Sequence, residues 1–222
     1  MKSSHSPEQL LKMLQKPAEI FAGVMPIGRA LYTPILYLRR CCRSDVAELH
    51  ELMLNNRDYL NKWIQPQPKA ISLGCVTHLI AEDHRLVRKG QRLDLGIFRI
   101  DDNKMLGRIA LHSVDYGIQR SAGLSYWIDK KESGKGYITK ALATLISFAF
   151  EECCLHRIWL EIANKNKASL AVAKKLGFVY EGISRKSLFI DLEWQDASTF
   201  SMLDSEYDEL ADSWLDKGYL GS

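Results

Sequence analysis

The sequence predicts a single α/β domain built around a mixed β-sheet, in an α+β sandwich arrangement. Segments with strand and helix patterns alternate along most of the chain, and no internal repeat or linker-like stretch separates them. The composition, 46% hydrophobic and 26% charged, is typical of a folded globular protein, and 222 residues can bury one sizeable core. We therefore expect one domain over residues 31–222, preceded by an N-terminal helical extension, residues 1–30, that packs on it.

The N-terminal part of the chain carries three helix signals and one strand signal. Apolar residues at helical spacing predict a short amphipathic helix over Pro7–Phe21, and Tyr32–Arg39 has the pattern of a first strand. Ser44 is a candidate N-cap for the next helix. The prolines of Asn61–Gly74 indicate a loop, and a further helix is expected over Cys75–Lys89.

The rest of the chain alternates short strands and helices. Strands are predicted over Leu93–Ile100, Met105–His112, Ala122–Ile128, Arg157–Ala163, Phe178–Ile183 and Phe200–Leu203. Helices are predicted from near Gly136, over Lys167–Leu176 and over Glu206–Leu215. The turn Asp101–Lys104 joins the first two of these strands as a hairpin.

The bulk properties argue against several functional classes. A net charge of +3 does not imply nucleic-acid binding. No apolar run reaches the roughly 18 residues needed to cross a bilayer, and the segment from Met1 to Ser6 lacks the layout of a secretory signal. A cytoplasmic protein without membrane or nucleic-acid partners is therefore expected.

The five cysteines predict neither a disulfide framework nor a metal site. They are odd in number, fall in two adjacent pairs and one single residue, and show no C-x-x-C spacing. We expect no metal, and we expect these thiols to be buried or partly buried in a reducing compartment.

The charges are unevenly distributed along the sequence. Between Ile190 and Asp216 the chain has nine acidic residues and no lysine or arginine. The region around Gly134 is basic instead, with lysines at 130, 131, 135, 140, 165, 167, 174 and 175. This separation suits an anionic cofactor combined with a cationic acceptor, although two ordinary solvated faces would produce it as well.

The most informative segment contains two glycines that open a helix. Gly134 and Gly136 immediately precede the apolar stripe of the best predicted helix, whose first N–H groups lack intrahelical partners. Such a helix start binds phosphate groups well. About thirty residues further on, Asn166–Ser169 supplies a second helix start with an amide and a hydroxyl. Together they predict a site for a phosphorylated cofactor held by backbone amides; two turn glycines before an ordinary helix are the alternative.

The order and spacing of several short motifs resemble the GNAT superfamily of acetyl-CoA-dependent N-acetyltransferases. The resemblance runs from about Leu31 to Leu203 and is closest to the RimJ/RimL-type branch, which acetylates the N-terminal residue of ribosomal proteins. The matching segments are Leu36–Arg40 with Ser44-Asp45, Asn56–Trp63 as a first loop, Leu106–His112, Tyr126–Asp129, Gly134–Gly136, Asn166–Ser169, Lys175–Phe178 and Glu181-Gly182.

The resemblance implies a mostly antiparallel central sheet with helices on both faces and strands that splay apart at the cofactor site. It implies acetyl-CoA as cosubstrate, a protein N-terminus or small amine as acceptor, and a monomer or homodimer. The cofactor-binding residues that it implies are Tyr126, Trp127, Ile128, Ser133, Gly134, Lys135, Gly136, Tyr137, Ile138 and Asn166.

The catalytic residues are less clearly marked in the sequence. Ser169 is the candidate donor of a proton to the departing thiolate, and Glu161 and Asp196 are the candidate bases; each could instead be an ordinary surface or structural residue. His112 and His156 are expected to be structural. Many relatives carry an acidic residue where this chain has Gly123, so a carboxylate often proposed to steer the catalytic proton is absent.

The expected function is transfer of acetyl from acetyl-CoA to the N-terminal α-amine of a protein, with a ribosomal protein as the favoured acceptor. One alternative is a small-amine acetyltransferase acting on a polyamine or an aminoglycoside. The other is a non-catalytic CoA-binding module.

Overall fold

A computed structural model describes residues 21, 23–64 and 71–221. The predicted helix Pro7–Phe21 lies almost wholly outside these residues, as does most of the 1–30 extension. The described helices are α1 (Val46–Leu60), α2 (Leu73–Arg88), α3 (Tyr137–Glu151), α4 (Lys167–Leu176) and α5 (Asp204–Asp216). The strands are β1 (Ala30–Tyr32), β2 (Leu36–Arg39), β3 (Leu93–Arg99), β4 (Met105–Asp115), β5 (Ser121–Ile128), β6 (Arg157–Ala163), β7 (Val179–Ile190) and β8 (Glu193–Leu203).

The eight strands form one sheet in the order β1-β2-β3-β4-β5-β6-β8-β7. Every neighbouring pair is antiparallel except β5 and β6, which are parallel. The helix between β5 and β6 is α3, as a parallel crossover requires. The predicted mixed, mostly antiparallel sheet is therefore confirmed.

The parallel pair β5–β6 is joined for only part of its length. Its ladder ends at the pair Gly123–Trp159. Beyond that point β5 stays paired with β4 as far as Ile128, and β6 stays paired with β8 as far as Ala163. The two strands consequently diverge, which confirms the predicted splay in the middle of the sheet.

Helices cover both faces of the sheet. Side chains that are adjacent along a strand point to opposite faces, and here such neighbours belong to two different hydrophobic clusters. Ile97 and Leu106 lie in the large cluster built on α3, whereas Phe98 and Met105 lie in a smaller cluster with residues of α1 and α2. The α3 helix supplies ten buried residues and is the centre of the larger core.

The start of the domain differs from the sequence-based expectation. The predicted strand Tyr32–Arg39 is two strands, because Pro34 interrupts it and the Thr33 hydroxyl accepts a hydrogen bond from the Leu36 amide (2.8 Å). The predicted N-cap Ser44 is wrong, since α1 begins at Val46 without a side-chain cap. Ser44 lies inside a 3₁₀ turn, Arg43–Asp45.

Three further expectations need correction. The segment around Asn56 is not a loop, because α1 continues to Leu60. The strands predicted over Phe178–Ile183 and Phe200–Leu203 are parts of the longer hairpin β7–β8. Its full length was not predicted, because β7 is the edge strand of the sheet and the hairpin sequence is largely polar. Of the five free cysteines, Cys75 is exposed, whereas the others are buried or half-buried.

The described part of the chain contains no helix that is both long and apolar enough to cross a membrane. The same residues contain no group of three or more histidine, cysteine, aspartate or glutamate side chains that could hold a metal ion.

Gly107 is required for the close approach of β4 to β5. A Cβ at this position would lie 2.2 Å from the Trp127 carbonyl oxygen and 2.7 Å from the Ile128 Cα. We expect Gly107→Ala to lower the free energy of unfolding by about 1–3 kcal/mol, because the clash is with backbone that cannot move aside cheaply. Gly23→Ala, where a Cβ meets nothing within 4 Å, is the control in urea denaturation; equal effects of the two substitutions would contradict this account.

Candidate active site

The loop between β5 and α3 presents backbone amides to an open space. Gly134 and Gly136 have φ angles of +80° and +82°, and a Cβ at either position would meet no atom within 4 Å. Gly136 is the N-cap of α3, which has no side-chain cap. The first N–H groups of this helix therefore remain available to an anion, as predicted from the sequence.

One predicted cofactor residue, Lys135, has a different position from the others. Its ammonium group pairs with the Glu132 carboxylate at 2.7 Å, and it does not line the cavity described next. Glu132 is buried and also faces Arg99 (3.6 Å) and Lys104 (3.8 Å). These cations compensate the carboxylate, which would otherwise repel an anion at the start of α3.

A cavity of about 330 Å³ lies at this loop, beside the part of β5 that is no longer paired with β6. All the sequence-predicted cofactor residues except Lys135 line it, and so does Ser169. Its walls are formed by the end of β5, the start of α3 and one side of α4. These sequence-predicted residues thus lie around one cavity, and their role in binding a cofactor stays a prediction.

The Tyr126 hydroxyl is buried in this region without a hydrogen-bond partner among the described residues. Burial raises the pKa of Tyr126 to about 12. The neighbouring Ser169 side chain, which lies outside hydrogen-bond geometry, lowers this pKa by a smaller amount. The phenol is thus neutral and able to donate a hydrogen bond at physiological pH. Because an unsatisfied buried hydroxyl is costly, this group favours a ligand that supplies the missing partner.

Asn166 fixes the start of α4 and with it the position of Ser169. Its side-chain oxygen accepts a hydrogen bond from the Ser169 amide (3.2 Å), which makes it the N-cap. Both side chains also line the cavity. Asn166 therefore combines the structural role with a position suited to binding, as the sequence allowed.

The end of α1 forms a wall of the cavity that the sequence did not assign to the site. Tyr59, Leu60, Trp63 and Ile64 line it. The buried Asn56 joins α1 to the neighbouring loop, because its Oδ1 accepts a hydrogen bond from the Lys130 amide (2.8 Å). A polar residue among the apolar positions of α1 was the one sequence signal for this contact.

The two candidate bases lie away from the cavity lining described here. Glu161 is half-buried on β6, beyond the point where β5 and β6 part, and shares a face with Trp159. Asp196 accepts a hydrogen bond from the Lys186 amide (2.9 Å) within the β7–β8 hairpin. A catalytic role is untested for both, but the contact of Asp196 is one that a structural carboxylate makes.

The two histidines considered in the sequence make local contacts. The His112 ring lies edge-on to Trp159, with centroids 5.3 Å apart, and its Nδ1 is 3.1 Å from the Ser113 hydroxyl. Burial lowers the pKa of His112. His156 contacts Asp204 through its Nδ1 at 3.1 Å, in an exposed position.

The glycine at position 123 has a steric explanation. A Cβ there would lie 2.5 Å from the His112 Cε1 atom and 2.7 Å from the Trp159 Cζ2 atom. The His112–Trp159 pair therefore occupies the space that a larger residue at 123 would need. An acidic side chain is incompatible with this packing.

A second cavity of about 340 Å³ adjoins the first and shares Ile64, Tyr126 and Trp127 with it. Arg92, Asp94 and Arg108 line it and belong to a chain of ion pairs that extends to Asp83. The sequence did not predict this chain, because its members come from separate elements. Asp94 binds Arg92 through two hydrogen bonds (2.6 and 2.9 Å) and lies 3.4 Å from Arg108, which in turn binds Asp83. Burial raises the pKa of Asp83 to about 6, although Arg108 acts against this shift.

Residues 36–179 match the family model described as "Acetyltransferase (GNAT) domain". The chain belongs to the GNAT acetyltransferase family. This finding agrees with the splayed strands and the uncapped, glycine-opened helix, and it confirms the resemblance seen in the sequence.

Individual relatives carry more specific names. The chain is 33% identical over 166 residues to the "Putative ribosomal N-acetyltransferase YdaF" of Bacillus subtilis, covering 74% of this chain and 89% of that protein. It is 26% identical to the "Spermidine N(1)-acetyltransferase" of Vibrio cholerae, covering 78% and 95%. The solved structure of Mycobacterium smegmatis RimJ in complex with CoA-disulfide is similar with a TM-score of 0.78 and 25% identity, covering 86% of this chain and 94% of that one.

Proposed function

We propose that this GNAT enzyme transfers the acetyl group of acetyl-CoA to the N-terminal α-amine of a protein, with ribosomal proteins as the first acceptors to test. The observation that carries the use of acetyl-CoA is the cavity beside the end of β5 that is not paired with β6, with uncapped amides at one end and Tyr126, whose buried hydroxyl has no partner, in its wall. The similar RimJ structure in complex with CoA-disulfide supports it.

The chain supplies a suitable environment for each part of a CoA thioester. The amides that follow Gly134 and Gly136 would hold the diphosphate, and the glycines let the backbone approach it closely. The edge of β5 that faces the splay has free backbone groups beyond Gly123, which would pair with the amide-bearing pantetheine arm as a strand does. The thioester itself supplies an activated acetyl group.

The protein's own contribution to the chemistry is mainly positioning and proton transfer. An α-amine has a pKa near 8, so a useful fraction is neutral at cellular pH and needs only a weak base or water. Ser169 on α4 and Tyr126 on β5 both line the cavity, and they are the candidate neutral hydroxyl donors to a departing thiolate. In this proposal they stabilise the leaving sulfur atom.

The acceptor is the part of this proposal with two supported candidates. The 33% identical relative named as a ribosomal N-acetyltransferase favours a protein N-terminus, whereas the relative named as a spermidine acetyltransferase favours a polyamine. The acidic stretch of the sequence gives less support to the polyamine than its composition suggested. Its carboxylates lie mostly on α5 and on the β7–β8 hairpin, and none lines the two cavities. Cytoplasmic location and a monomeric or homodimeric state stay predictions.

The direct test is incubation of the purified protein with labelled acetyl-CoA and ribosomal proteins, followed by mass spectrometry of the N-terminal peptides. We expect label on the α-amine of one or a few proteins. Label on spermidine alone would select the second candidate, and no label on any amine with saturating cofactor would contradict acetyl transfer altogether.

The role of the backbone amides can be tested with a pair of glycine substitutions. We expect Gly136→Ala to weaken acetyl-CoA binding about tenfold or more, because the added Cβ strains the left-handed turn that presents the amides. Gly28→Ala is the matched control, since Gly28 also has a positive φ (+94°) and open space but does not line the cavity. Calorimetry showing equal affinities for the two variants would count against binding by this loop.

The proton-donor role of Ser169 predicts a selective loss of turnover. We expect Ser169→Ala to lower kcat on the order of 10²-fold while the KM for acetyl-CoA stays near that of the wild type. Tyr126→Phe should have a similar effect if the two hydroxyls act together. Ser187→Ala, which removes an exposed hydroxyl in the β7–β8 hairpin, is the control. A kcat for Ser169→Ala within twofold of the wild type would rule out this role.

A further inference from the structure

The second cavity is lined by three charged side chains, Arg92, Asp94 and Arg108, and a fourth, Asp83, pairs with Arg108 next to it. The proposed cofactor chemistry uses none of the four. Arg108, Asp83 and Asp94 have side chains that are at least nine-tenths buried, whereas the Arg92 side chain is 37% exposed. Buried charges are expensive unless they are paired, and in this site every charge has an opposite partner. One hydrogen-bond donor of this cluster nevertheless lacks a partner.

The Nε–H group of Arg108 has no hydrogen-bond partner within the described ranges, although it is fully buried and Arg108 lines the cavity. Arg108 uses Nη2 for both Asp83 and Asp94. An orphaned donor on a buried guanidinium is unfavourable, so binding of a ligand oxygen that reaches Arg108 after a small side-chain shift is favoured.

The second cavity adjoins the proposed cofactor cavity. Arg108 is opposite Trp127 in the β4–β5 register, and Ala110 is opposite Ser125, so these four side chains share one face of the sheet. Trp127 lines both cavities, as do Tyr126 and Ile64. A molecule in the second cavity would therefore lie next to one in the first.

The charges in the second cavity favour an acceptor that carries a carbonyl or carboxylate oxygen over a polyamine. Both carboxylates already bind guanidinium groups, and the four side chains sum to no net charge, so a polyamine would meet two arginines and no unpaired carboxylate. A polyamine also offers only hydrogen-bond donors when it is protonated. An acceptor with a carbonyl or carboxylate oxygen beside its amine supplies what the free arginine donors require.

We propose, on the basis of the function proposed above, that the second cavity is the acceptor site and that Arg92 and Arg108 bind the oxygen next to the acetylated α-amine. Its ligand is an α-aminoacyl group, which a protein N-terminus carries as a peptide carbonyl and a free amino acid carries as a carboxylate. Arg92 and Arg108 are specificity-determining residues for this site.

The test compares three acceptors, an alanine-initiated peptide, free alanine and spermidine, on the wild type and on Arg92→Gln. Arg92 is partly exposed, so we expect the protein to fold with glutamine in its place. The substitution also removes one of the two arginine partners of Asp94. We expect the KM for the peptide to rise roughly tenfold with an unchanged KM for acetyl-CoA. The kcat/KM for spermidine should stay the same or rise, because Asp94 becomes more available to a cation.

Controls separate this role from a general loss of structure. Arg85→Gln removes an exposed arginine of α2 that pairs with Glu82 and lines neither cavity, and it should change none of these constants. Arg108→Lys keeps the buried positive charge but deletes the Nε–H donor; if its melting temperature stays near that of the wild type, it should raise the KM for the peptide at least as much as Arg92→Gln does.

These experiments distinguish failure of the acceptor assignment from failure of the proposed acetyl transfer. Acetyl transfer in which Arg92→Gln leaves the KM for the peptide unchanged, or lowers kcat/KM for peptide and spermidine equally, would overturn the acceptor assignment while leaving the enzyme an acetyltransferase. Preference of the wild type for free alanine over the peptide would support the site and assign the free amino acid as its source. If no amine is acetylated, calorimetry with the acetylated peptide decides: weaker binding to Arg92→Gln supports the site, and no binding to the wild type overturns it.

Discussion

The arrangement of the proposed cofactor site depends on where the hydrogen-bonded pairing of β5 and β6 ends. Two parallel strands would normally continue their ladder, but here it ends at Gly123 and Trp159 because each strand follows a different antiparallel neighbour. Backbone groups that would satisfy each other are left facing a gap in the centre of the sheet, where the loss of hydrogen bonds is costly. The antiparallel ladders on both sides and the core around α3 hold the gap open. A ligand that pairs with these groups is therefore favoured.

Several local features become intelligible from this gap. The glycines at 134 and 136 start α3 beside it without a capping side chain, and Asn166 caps α4 on its opposite side. Tyr126 has an unsatisfied buried hydroxyl beside it, and Arg108 has an unsatisfied buried Nε–H beside the adjoining cavity. Such groups reduce the stability of the free protein, and they are places where binding energy can be gained. The unsatisfied groups thus mark the proposed paths of the two substrates.

The sequence was most informative where local chemistry decides the structure. Glycines before an apolar stripe, an asparagine at a helix start and the bounds of β6 and α4 all depend on short-range preferences, and the structure agrees with them. Prediction failed where tertiary contacts decide. Ser44 is not an N-cap, because it lies inside a 3₁₀ turn. The β7–β8 hairpin extends through polar residues that show no clear alternation of apolar and polar side chains. The ion pairs of Arg92 and Arg108 join β3, β4 and α2, so no local pattern in the sequence reveals them.

The central claim is that a CoA diphosphate binds the amides at the start of α3 while its pantetheine arm pairs with β5. The most direct measurement is a titration of the ¹⁵N-labelled protein with CoA, observed through its amide resonances. The account predicts that the largest chemical-shift changes fall on residues 134–139 and on the end of β5, with smaller changes at Asn166 and Ser169. Changes concentrated on the β7–β8 hairpin or on α5, with the amides after Gly134 unaffected at saturation, would contradict it.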